Sequence, residues 1–494
     1  MIKSITILGG GTAGFISTLI LRATYPKLDI KLIESSQYGI IGVGEGSTEH
    51  WAEFMKHCGI DVCDLIRETG ATFKTGIKFQ NWNGDQKEYY HSLSETVATL
   101  HQGTGIYPVL IKMIADGDNP LNSVLSRAKE SLHAEPLHRG VAQFHFDTNK
   151  LNKFFHKLCL ERNITIIDDT ISEVVIDNEG FVSELIGEAG TYTSEFFIDC
   201  SGFRRIINKK LNVGWVDCSE YLPMNSALAA QTPYEENIPS HTVARALSAG
   251  WMWRIPTQER FGNGYVYCDK FISDEEAEKE FKSQFPYDIQ IGKKIKFGAG
   301  YVDQFWVKNC VSAGLAGLFV EPLEATSIGA TIQQMFGFCS NILYWSRKDD
   351  SAVKRYNTDF ERVAKNIIDF VQLHYITKRD DSKFWKWNKD NLKLTPFNKQ
   401  NLERFKTNLP GVYHFNYYFL MFKELNYMQV MQGLELFDVD RINELYYDTF
   451  DQLNSFVDSE IADNDYFIKN NNYVSHREAI NILLDRYFRT DVHL

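Results

Sequence analysis

The stretch SITILGGGTAGFISTLILRATYPKLDIKLIE, residues 4–34, decides the fold at the start of this chain. It predicts a strand, a glycine turn, a helix and a second strand, which make one βαβ unit. Three glycines fit G-x-G-x-x-G, which allows a tight turn, close approach of the backbone to a pyrophosphate and close helix packing. A carboxylate ends the second strand, where it accepts hydrogen bonds from ribose hydroxyls. An ordinary glycine turn is the alternative, but the full pattern favours an ADP-type dinucleotide site made by Gly9, Gly11, Thr12, Ala13, Gly14 and Glu34.

The composition excludes several classes of protein. The 494 residues are 44% hydrophobic and 23% charged, as in an ordinary folded protein, and the net charge of −12 argues against nucleic acid as a partner. The N-terminal apolar run is split by the glycine turn, so it is not a signal peptide, and no apolar run reaches the roughly 18 residues of a membrane span. The eight cysteines form no C-x-x-C pair, which predicts a reduced, cytoplasmic protein.

Two further stretches suggest contacts with the nucleotide. The run IIGVGEGSTEHW, residues 40–51, is rich in glycine and suggests a loop wrapped closely on a ligand, although a flexible connector would have the same composition. Its candidate contacts are Gly42, Val43, Gly44 and Glu45. The hydrophobic strand EFFID ends in Asp199-Cys200-Ser201-Gly202, and we expect Asp199 to lie at a second place where the chain passes the nucleotide.

The run TFKTGIKF, residues 72–79, alternates as a strand does, so Lys74 and Lys78 would share one face. A solvated lysine face on an amphipathic strand is the ordinary interpretation. A buried lysine, in contrast, would have a desolvated ammonium and a lowered pKa, which suits the capture of an electrophile.

Two more motifs carry possible chemistry. In WMWRIP, Trp251 and Trp253 are two apart in a predicted strand, so they point the same way and make a flat aromatic wall or part of a core. In EPLEATSIGATIQQM, residues 321–335, the run Ala325-Thr326-Ser327 resembles the capped start of a helix, whose N–H groups and dipole hold a small anion or are simply capped. The 13 histidines have no ligand spacing, and no metal site is predicted.

In order and approximate spacing, GGGTAG, GVGE, FKTGIKF, DCSGFRR, WMWRIP, GLFVEPLEAT and LHY...RDDSKFW resemble the motifs of flavin-dependent halogenases of the tryptophan-halogenase type. The resemblance runs from residue 1 to about 390 and thins over the last hundred residues. It implies an α/β fold with an FAD-binding, Rossmann-type flavin-monooxygenase core, a second β-sheet and a helical C-terminal cap. The expected division is a core over residues 1–340, with an inserted substrate-side sheet at about 213–300, and a cap over 341–494 that forms part of the substrate pocket.

The resemblance also implies a mechanism. Reduced FAD and O2 oxidise a halide to hypohalous acid, which travels inside the protein to a lysine and reaches an electron-rich aromatic ring. Its place in F-K-x-x-I-K-F makes Lys78 the expected amine, with Glu324 as the carboxylate beside it. Backbone amides of Thr326 and Ser327 would hold the halide. Trp251 and Trp253 would keep the substrate away from the flavin.

Two departures from the family pattern concern the halide and the substrate. Ala325 stands where Ser is usual and Ser327 where Gly is usual, so we expect bromide or iodide to be preferred over chloride. The residues that clamp free tryptophan in the family have no convincing match in residues 414–437, so free tryptophan is not the predicted substrate. The prediction is a small aromatic molecule of indole or phenol type.

No second dinucleotide pattern is present, so reduced flavin is expected from a separate flavin reductase, and an oligomer stays open. Two alternatives remain. One is a flavin-dependent aromatic hydroxylase on the same nucleotide core, in which Lys78 is structural. The other is a non-catalytic FAD-binding protein.

Overall fold

The computed structural model of the chain describes residues 2–39, 45–91, 143–415, 419–444 and 474–490, with a few isolated positions between 455 and 470. The chain divides into two compact units. The first unit contains Met1–Thr69, Asp147–Ser219 and Gly298–Ile367. The second contains Gly70–Phe146, Glu220–Phe297 and Ile368–Leu494. The predicted division into a core over residues 1–340 and a cap over 341–494 stays a prediction.

The strands are, in chain order, β1 (Ser4–Leu8), β2 (Asp29–Glu34), β3 (Glu45–Gly46), β4 (Thr72–Phe73), β5 (Gly76–Gln80), β6 (Glu88–His91), β7 (Phe144–Phe146), β8 (Thr165–Asp168), β9 (Ile171–Ile176), β10 (Val182–Gly187), β11 (Thr191–Thr193), β12 (Phe196–Asp199), β13 (Trp215–Asp217), β14 (Ser226–Pro233), β15 (His241–Leu247), β16 (Gly250–Pro256), β17 (Arg260–Tyr267), β18 (Ile291–Lys296), β19 (Gly300–Val302), β20 (Trp306–Val307), β21 (Cys310–Ser312) and β22 (Leu318–Phe319).

The helices are, in the same order, α1 (Thr12–Thr24), α2 (His50–Cys58), α3 (Val62–Thr69), α4 (Thr148–Glu161), α5 (Ile206–Lys210), α6 (Asp274–Lys282), α7 (Thr326–Ile342), α8 (Ser351–Leu373), α9 (Lys383–Asn391), α10 (Pro396–Asn408), α11 (Glu424–Gly433) and α12 (His476–Thr490). None of the helices in the described part of the chain is long and apolar enough to cross a membrane.

The main sheet of the first unit has the strand order β20-β21-β12-β1-β2-β8. Its strands β21, β12, β1, β2 and β8 pair in parallel, and β20 is an antiparallel edge. The chain runs from β1 to β2 and β8 on one side and later to β12 and β21 on the other, so the order reverses at β1. Open parallel sheets bind ligands at the carboxyl ends of the strands at such a point. The predicted Rossmann-type α/β core is confirmed.

Helix α1 packs on this sheet and contacts helices α4 and α7. It forms because a run of small and apolar residues follows the glycine turn, and all residues from Gly14 to Leu21 are buried. A helix that is apolar on nearly every side must be covered on every side, and the neighbouring helices supply that cover.

The second unit is built on a seven-stranded sheet with the order β18-β14-β17-β16-β15-β5-β6. Neighbouring strands are antiparallel, except for the parallel pair β15 and β5. The predicted strand WMWRIP is confirmed as part of β16, and the runs SALAAQTP and HTVARAL form β14 and β15. Aromatic residues form the core beside this sheet: Trp82 contacts Tyr375, Trp385 and Trp251 at ring separations of 5.6, 6.0 and 6.5 Å.

Candidate active site

The glycine turn after β1 has the geometry of a phosphate-binding turn. Gly9 has a φ of +128°, and a Cβ on it would lie 2.2 Å from the carbonyl oxygen of Cys200. A Cβ on Gly14 would lie 1.8 Å from the carbonyl oxygen of Gly9, whereas one on Gly11 would meet no atom within 4 Å. The turn is therefore closely packed at Gly9 and Gly14, whereas the space beside Gly11 is open. Gly11 is also the N-cap of α1 and provides no side-chain cap, so the first N–H groups of α1 are suited to bind an anion.

Glu34 lies against this turn at the end of β2. A Cβ on Gly10 would be 2.5 Å from Oε2 of Glu34, and Nε2 of His156 is 3.4 Å from Oε1. Burial raises the pKa of the Glu34 carboxyl, and His156 opposes that shift. A carboxylate beside the glycine turn fits the ribose of an ADP-type nucleotide.

The other predicted nucleotide contacts have different outcomes. Gly42, Val43 and Gly44 lie outside the described residues. Glu45 begins β3, and burial raises its pKa to about 7. The carboxylate of Asp199 accepts hydrogen bonds from the backbone N–H groups of Ser201, Ile207 and Asn208 and from the Ser201 hydroxyl. Its side chain thus anchors the turn after β12 and the start of α5, while the backbone at Cys200 approaches Gly9.

A second glycine turn approaches the start of α1. Gly314 has a φ of +61°, and a Cβ on it would lie 2.5 Å from Cβ of Ala13. It follows β21, whose neighbour Ala313 donates its backbone N–H to the carbonyl of Asp199 at 3.0 Å. The ends of β1, β12 and β21 therefore meet around one turn, where the fold predicts a ligand.

The predicted halide segment contains a sharp backbone reversal. Glu324 and Ala325 have φ values of +68° and +53°, a region that non-glycine residues rarely adopt. Helix α7 then begins at Thr326, with Ala325 rather than a hydroxyl residue as N-cap and without a side-chain cap. Glu324 and Thr326 are 1% and 2% exposed. Strained backbone of this kind concentrates at functional sites.

The two lysines of TFKTGIKF have different surroundings. Lys74 lies between β4 and β5 rather than in one continuous strand, and it is 1% exposed. Its backbone N–H donates to the carbonyl of Gln143. Lys78 lies within β5, its side chain is 17% exposed, and its Nζ is 3.4 Å from Oε2 of Glu88 and 5.0 Å from the centre of the Tyr90 ring. Of the two lysines, Lys74 is thus the more deeply buried, and the role expected of Lys78 stays a prediction.

Buried histidines lie near Lys74. His145 of β7 pairs with Thr72 across the strands, and its Nε2 lies 2.8 Å from the hydroxyl of Thr242. Burial, the charge of Lys74 and two further histidines lower the pKa of His145 well below its usual value. His476 accepts the backbone N–H of Phe73, and burial lowers its pKa to about 4. Both histidines are therefore neutral at pH 7.

The tryptophan pair lies in β16 as predicted. Trp251 is 2% exposed, Trp253 is partly buried, and their ring centres are 6.2 Å apart. Trp253 lies across Gly264 of β17, where a Cβ would come within 2.1 Å of the indole ring. Its Nε1 is buried and has no hydrogen-bond partner among the described residues.

All eight cysteines are buried and free. Burial raises the pKa of Cys58, Cys159 and Cys200 to about 12, so these thiols are unreactive. In the described ranges no group of three or more His, Cys, Asp or Glu residues could hold a metal ion.

Two residues near the nucleotide turn were missed in the sequence. Asn152 accepts a hydrogen bond from the Thr12 hydroxyl at 3.2 Å, and His156 contacts Glu34. Both lie on α4, four residues apart and thus on one face. The available signal was this polar pair at the margin of an otherwise apolar helix face.

A parallel sheet with a glycine turn and a carboxylate at its switch point defines a Rossmann-type dinucleotide-binding protein. The sequence model of the tryptophan halogenase family matches residues 4–445. Tryptophan 6-halogenase ThaL of Streptomyces albogriseolus is 30% identical over 444 residues, which cover 83% of each chain.

Two solved structures have the same fold as this chain. A tryptophan halogenase from Shewanella frigidimarina superimposes with a TM-score of 0.89 at 25% identity, covering 98% of each chain. Tar14, a tryptophan C-6 flavin-dependent halogenase from taromycin biosynthesis, superimposes with a TM-score of 0.88 at 25% identity, covering 97% of this chain and 99% of that chain.

The chain belongs to the tryptophan halogenase family and is a flavin-dependent halogenase, an oxidoreductase that acts on aromatic substrates.

Proposed function

We propose that this halogenase transfers bromine or iodine, in preference to chlorine, to an electron-rich ring of indole or phenol type through a lysine amine. The observation that carries the proposal is the 1% exposure of Lys74, since a desolvated amine in an aromatic halogenase is suited to capture an electrophile.

FAD fits the residues of the first unit. The glycine turn and the N–H groups of α1 would hold its diphosphate, and Glu34 would hold a ribose. When bound and reduced, FAD supplies two electrons and two protons, so that with one further proton O2 and a halide X⁻ give HOX and water. Reduced FAD would come from a separate reductase, and we place the reaction in the cytoplasm because the free, buried thiols suit a reducing compartment.

The halide site would lie at the start of α7. The first N–H groups of this helix have no side-chain cap, and the helix dipole favours a negative charge there. Thr326 and Ser327 would donate their backbone N–H groups. Ala325 adds no hydroxyl, which favours large, weakly hydrated halides, because such ions need fewer hydrogen bonds.

The amine would receive HOX and present its halogen to the ring. The sequence favoured Lys78, but its side chain is partly exposed and paired with Glu88, so burial makes Lys74 the better candidate. His145 lies close enough to Lys74 for the charge of Lys74 to lower its pKa, so the two side chains share one buried neighbourhood. In a haloamine route, the neutral amine and HOX give N–X and water. The ring then takes X, and the proton that it loses replaces X on nitrogen, through Glu324, which restores the neutral amine.

Glu324 would polarise HOX and accept the proton that the ring loses, so that ArH and HOX give ArX and water. Its burial strengthens such an interaction, because a low dielectric screens charge weakly. Trp251 and Trp253 would form the wall that keeps the ring from the flavin, and the unpartnered Nε1 of Trp253 offers one hydrogen bond to a ligand.

The first test is an assay with FAD, a flavin reductase, O2 and chloride, bromide or iodide in turn, on a panel of indoles and phenols that includes free tryptophan. We expect products heavier by one bromine or iodine. An oxygen-sized mass gain that needs no halide would support the hydroxylase alternative instead.

The second test compares Lys74→Ala with Lys78→Ala. We expect Lys74→Ala to bind FAD and consume reduced FAD normally but to lose halogenated product, while Lys78→Ala keeps most of it. The opposite result would return the role to Lys78. Full product from both variants would remove the amine from the mechanism.

A further inference from the structure

Helix α4 follows the nucleotide site on one face. Asn152 and His156 are four residues apart, so their side chains are neighbours on the helix. Asn152 contacts Thr12 at the start of α1, and His156 contacts Glu34 at the end of β2. The first contact is at the start of α1, where the proposed site would hold the diphosphate of FAD, and the second is at the end of β2, where it would hold a ribose. One face of α4 therefore extends along both recognition points.

Only one of the two polar atoms of the Asn152 side-chain amide has a hydrogen-bond partner among the described residues. Its Oδ1 accepts the Thr12 hydroxyl at 3.2 Å, the residue is 4% exposed, and its Nδ2 has no hydrogen-bond partner among the described residues. A buried donor without a partner is costly, commonly by about 1–3 kcal/mol, so native structures rarely keep one unless something binds it.

The position of this donor identifies the class of acceptor. Because Oδ1 touches the first residue of α1, Nδ2 of the same amide lies beside the uncapped N–H groups at that helix start. Those N–H groups and the helix dipole select an anion, and the open space above Gly11 admits one. A neutral amide donor there adds a directed hydrogen bond.

We propose that Asn152 is a further cofactor-binding residue whose Nδ2 donates to a diphosphate oxygen of FAD at the start of α1. This inference rests on the proposed FAD site but not on the halide, the amine or the aromatic substrate.

The test uses the full chain and three variants: Asn152→Ala, Asn152→Asp and, as control, Asn149→Asp. Asn149 is exposed in the first turn of the same helix, so its variant adds the same charge away from Thr12. Affinities for oxidised FAD and for ADP are measured by titration, by flavin fluorescence for FAD and by calorimetry for ADP. ADP carries the diphosphate without the flavin ring.

We expect Asn152→Ala to weaken FAD and ADP binding alike, by about tenfold, the loss of one hydrogen bond to a charged group. Asn152→Asp should be weaker still, by about 100-fold, because a carboxylate then faces the phosphates. Asn149→Asp should bind as the unaltered chain does.

A purely structural Asn152 predicts the reverse order, because an aspartate still accepts the Thr12 hydroxyl while an alanine does not. If Asn152→Asp bound FAD and ADP more tightly than Asn152→Ala does, the inference would be wrong. A loss of affinity for FAD but not for ADP would also contradict it. ADP binding does not depend on halogenation, so failure of the proposed function would leave this result unchanged.

Discussion

At the scale of single residues, Lys74 and Lys78 differ in burial in a way that the sequence pattern does not predict. Alternation puts both on one face, yet one is 1% exposed and the other has a partly exposed ion pair. The difference arises because the strand is interrupted: Lys74 hydrogen-bonds to Gln143, and Thr75 to Ser240. Those partners are far away in the chain, so local pattern could not reveal them. The glycine turn and Glu34, in contrast, depend on local geometry and were predictable.

The position of the Trp253 ring, part of the proposed aromatic wall, depends on a glycine in the next strand. A Cβ on Gly264 would come within 2.1 Å of the Trp253 ring, so Gly264→Ala must displace the indole. We expect this variant to lose about 1–3 kcal/mol of stability and to yield less halogenated product per reduced FAD consumed. Gly292→Ala is the control in the same sheet, since its Cβ would meet only a carbonyl oxygen at 3.6 Å. An equal yield of halogenated product per reduced FAD in both variants would contradict the proposed role of the tryptophan wall.

Glu324 is buried in a strained turn before α7, where a carboxylate has a defined position. We expect Glu324→Gln to lower the rate of halogenation by about 10²-fold, as for a positioned acid–base group, while reduced FAD is still consumed. Single-turnover product formation and flavin oxidation, followed together, check this. An unchanged rate would exclude Glu324 from proton transfer.

At the scale of elements, local sequence patterns were sufficient to predict several helices and strands. A helix with its capped start at residues 325–327 was predicted. Helix α7 begins at Thr326, and its N-cap is Ala325 in a left-handed conformation, which no propensity rule favours. The positions of α1, β14, β15 and β16 also followed from periodicity. The polar face of α4 could not be predicted, because Asn152 and His156 contact Thr12 and Glu34, which are more than 100 residues away in the chain.

Helix α6 offers an element whose stability can change without affecting the chemistry. Ser273 and Glu276 form a capping box, with each side chain accepting the backbone N–H of the other. We expect Ser273→Ala to cost about 1 kcal/mol of unfolding free energy and to leave halogenation unchanged. Denaturant unfolding and the product assay check both parts, and Ser273→Asp should restore the stability.

At the scale of the whole molecule, the sequence predicted the α/β architecture. The two compact units are each assembled from three separate segments of the chain. Units assembled from distant segments follow from pairings such as β15 with β5, which are long-range and have no local signature.

The buried histidines predict how stability depends on pH. His145 and His476 are neutral in the folded protein well below the usual pKa of about 6.5, whereas the unfolded chain protonates them near that value. The unfolded state therefore binds more protons between about pH 6.5 and 4. Stability should be full above this range and fall as pH drops through it, by up to about 1.4 kcal/mol per pH unit for each histidine.

Thermal unfolding from pH 8 to 4.5 measures this slope. His476→Gln should flatten it, because a glutamine can accept the Phe73 N–H without titrating, whereas His57→Gln, at an exposed position, should not. Equal slopes in all three proteins would exclude His476 as a source of the acid sensitivity.

The most direct test of the central claim is the mass of the product that the Lys74→Ala variant and the unaltered chain form from one indole substrate with reduced FAD, O2 and bromide. The account predicts a bromine-sized mass gain for the unaltered chain only, with equal consumption of reduced FAD by both proteins. Brominated product in equal amount from both, or a product gaining only oxygen, would contradict it.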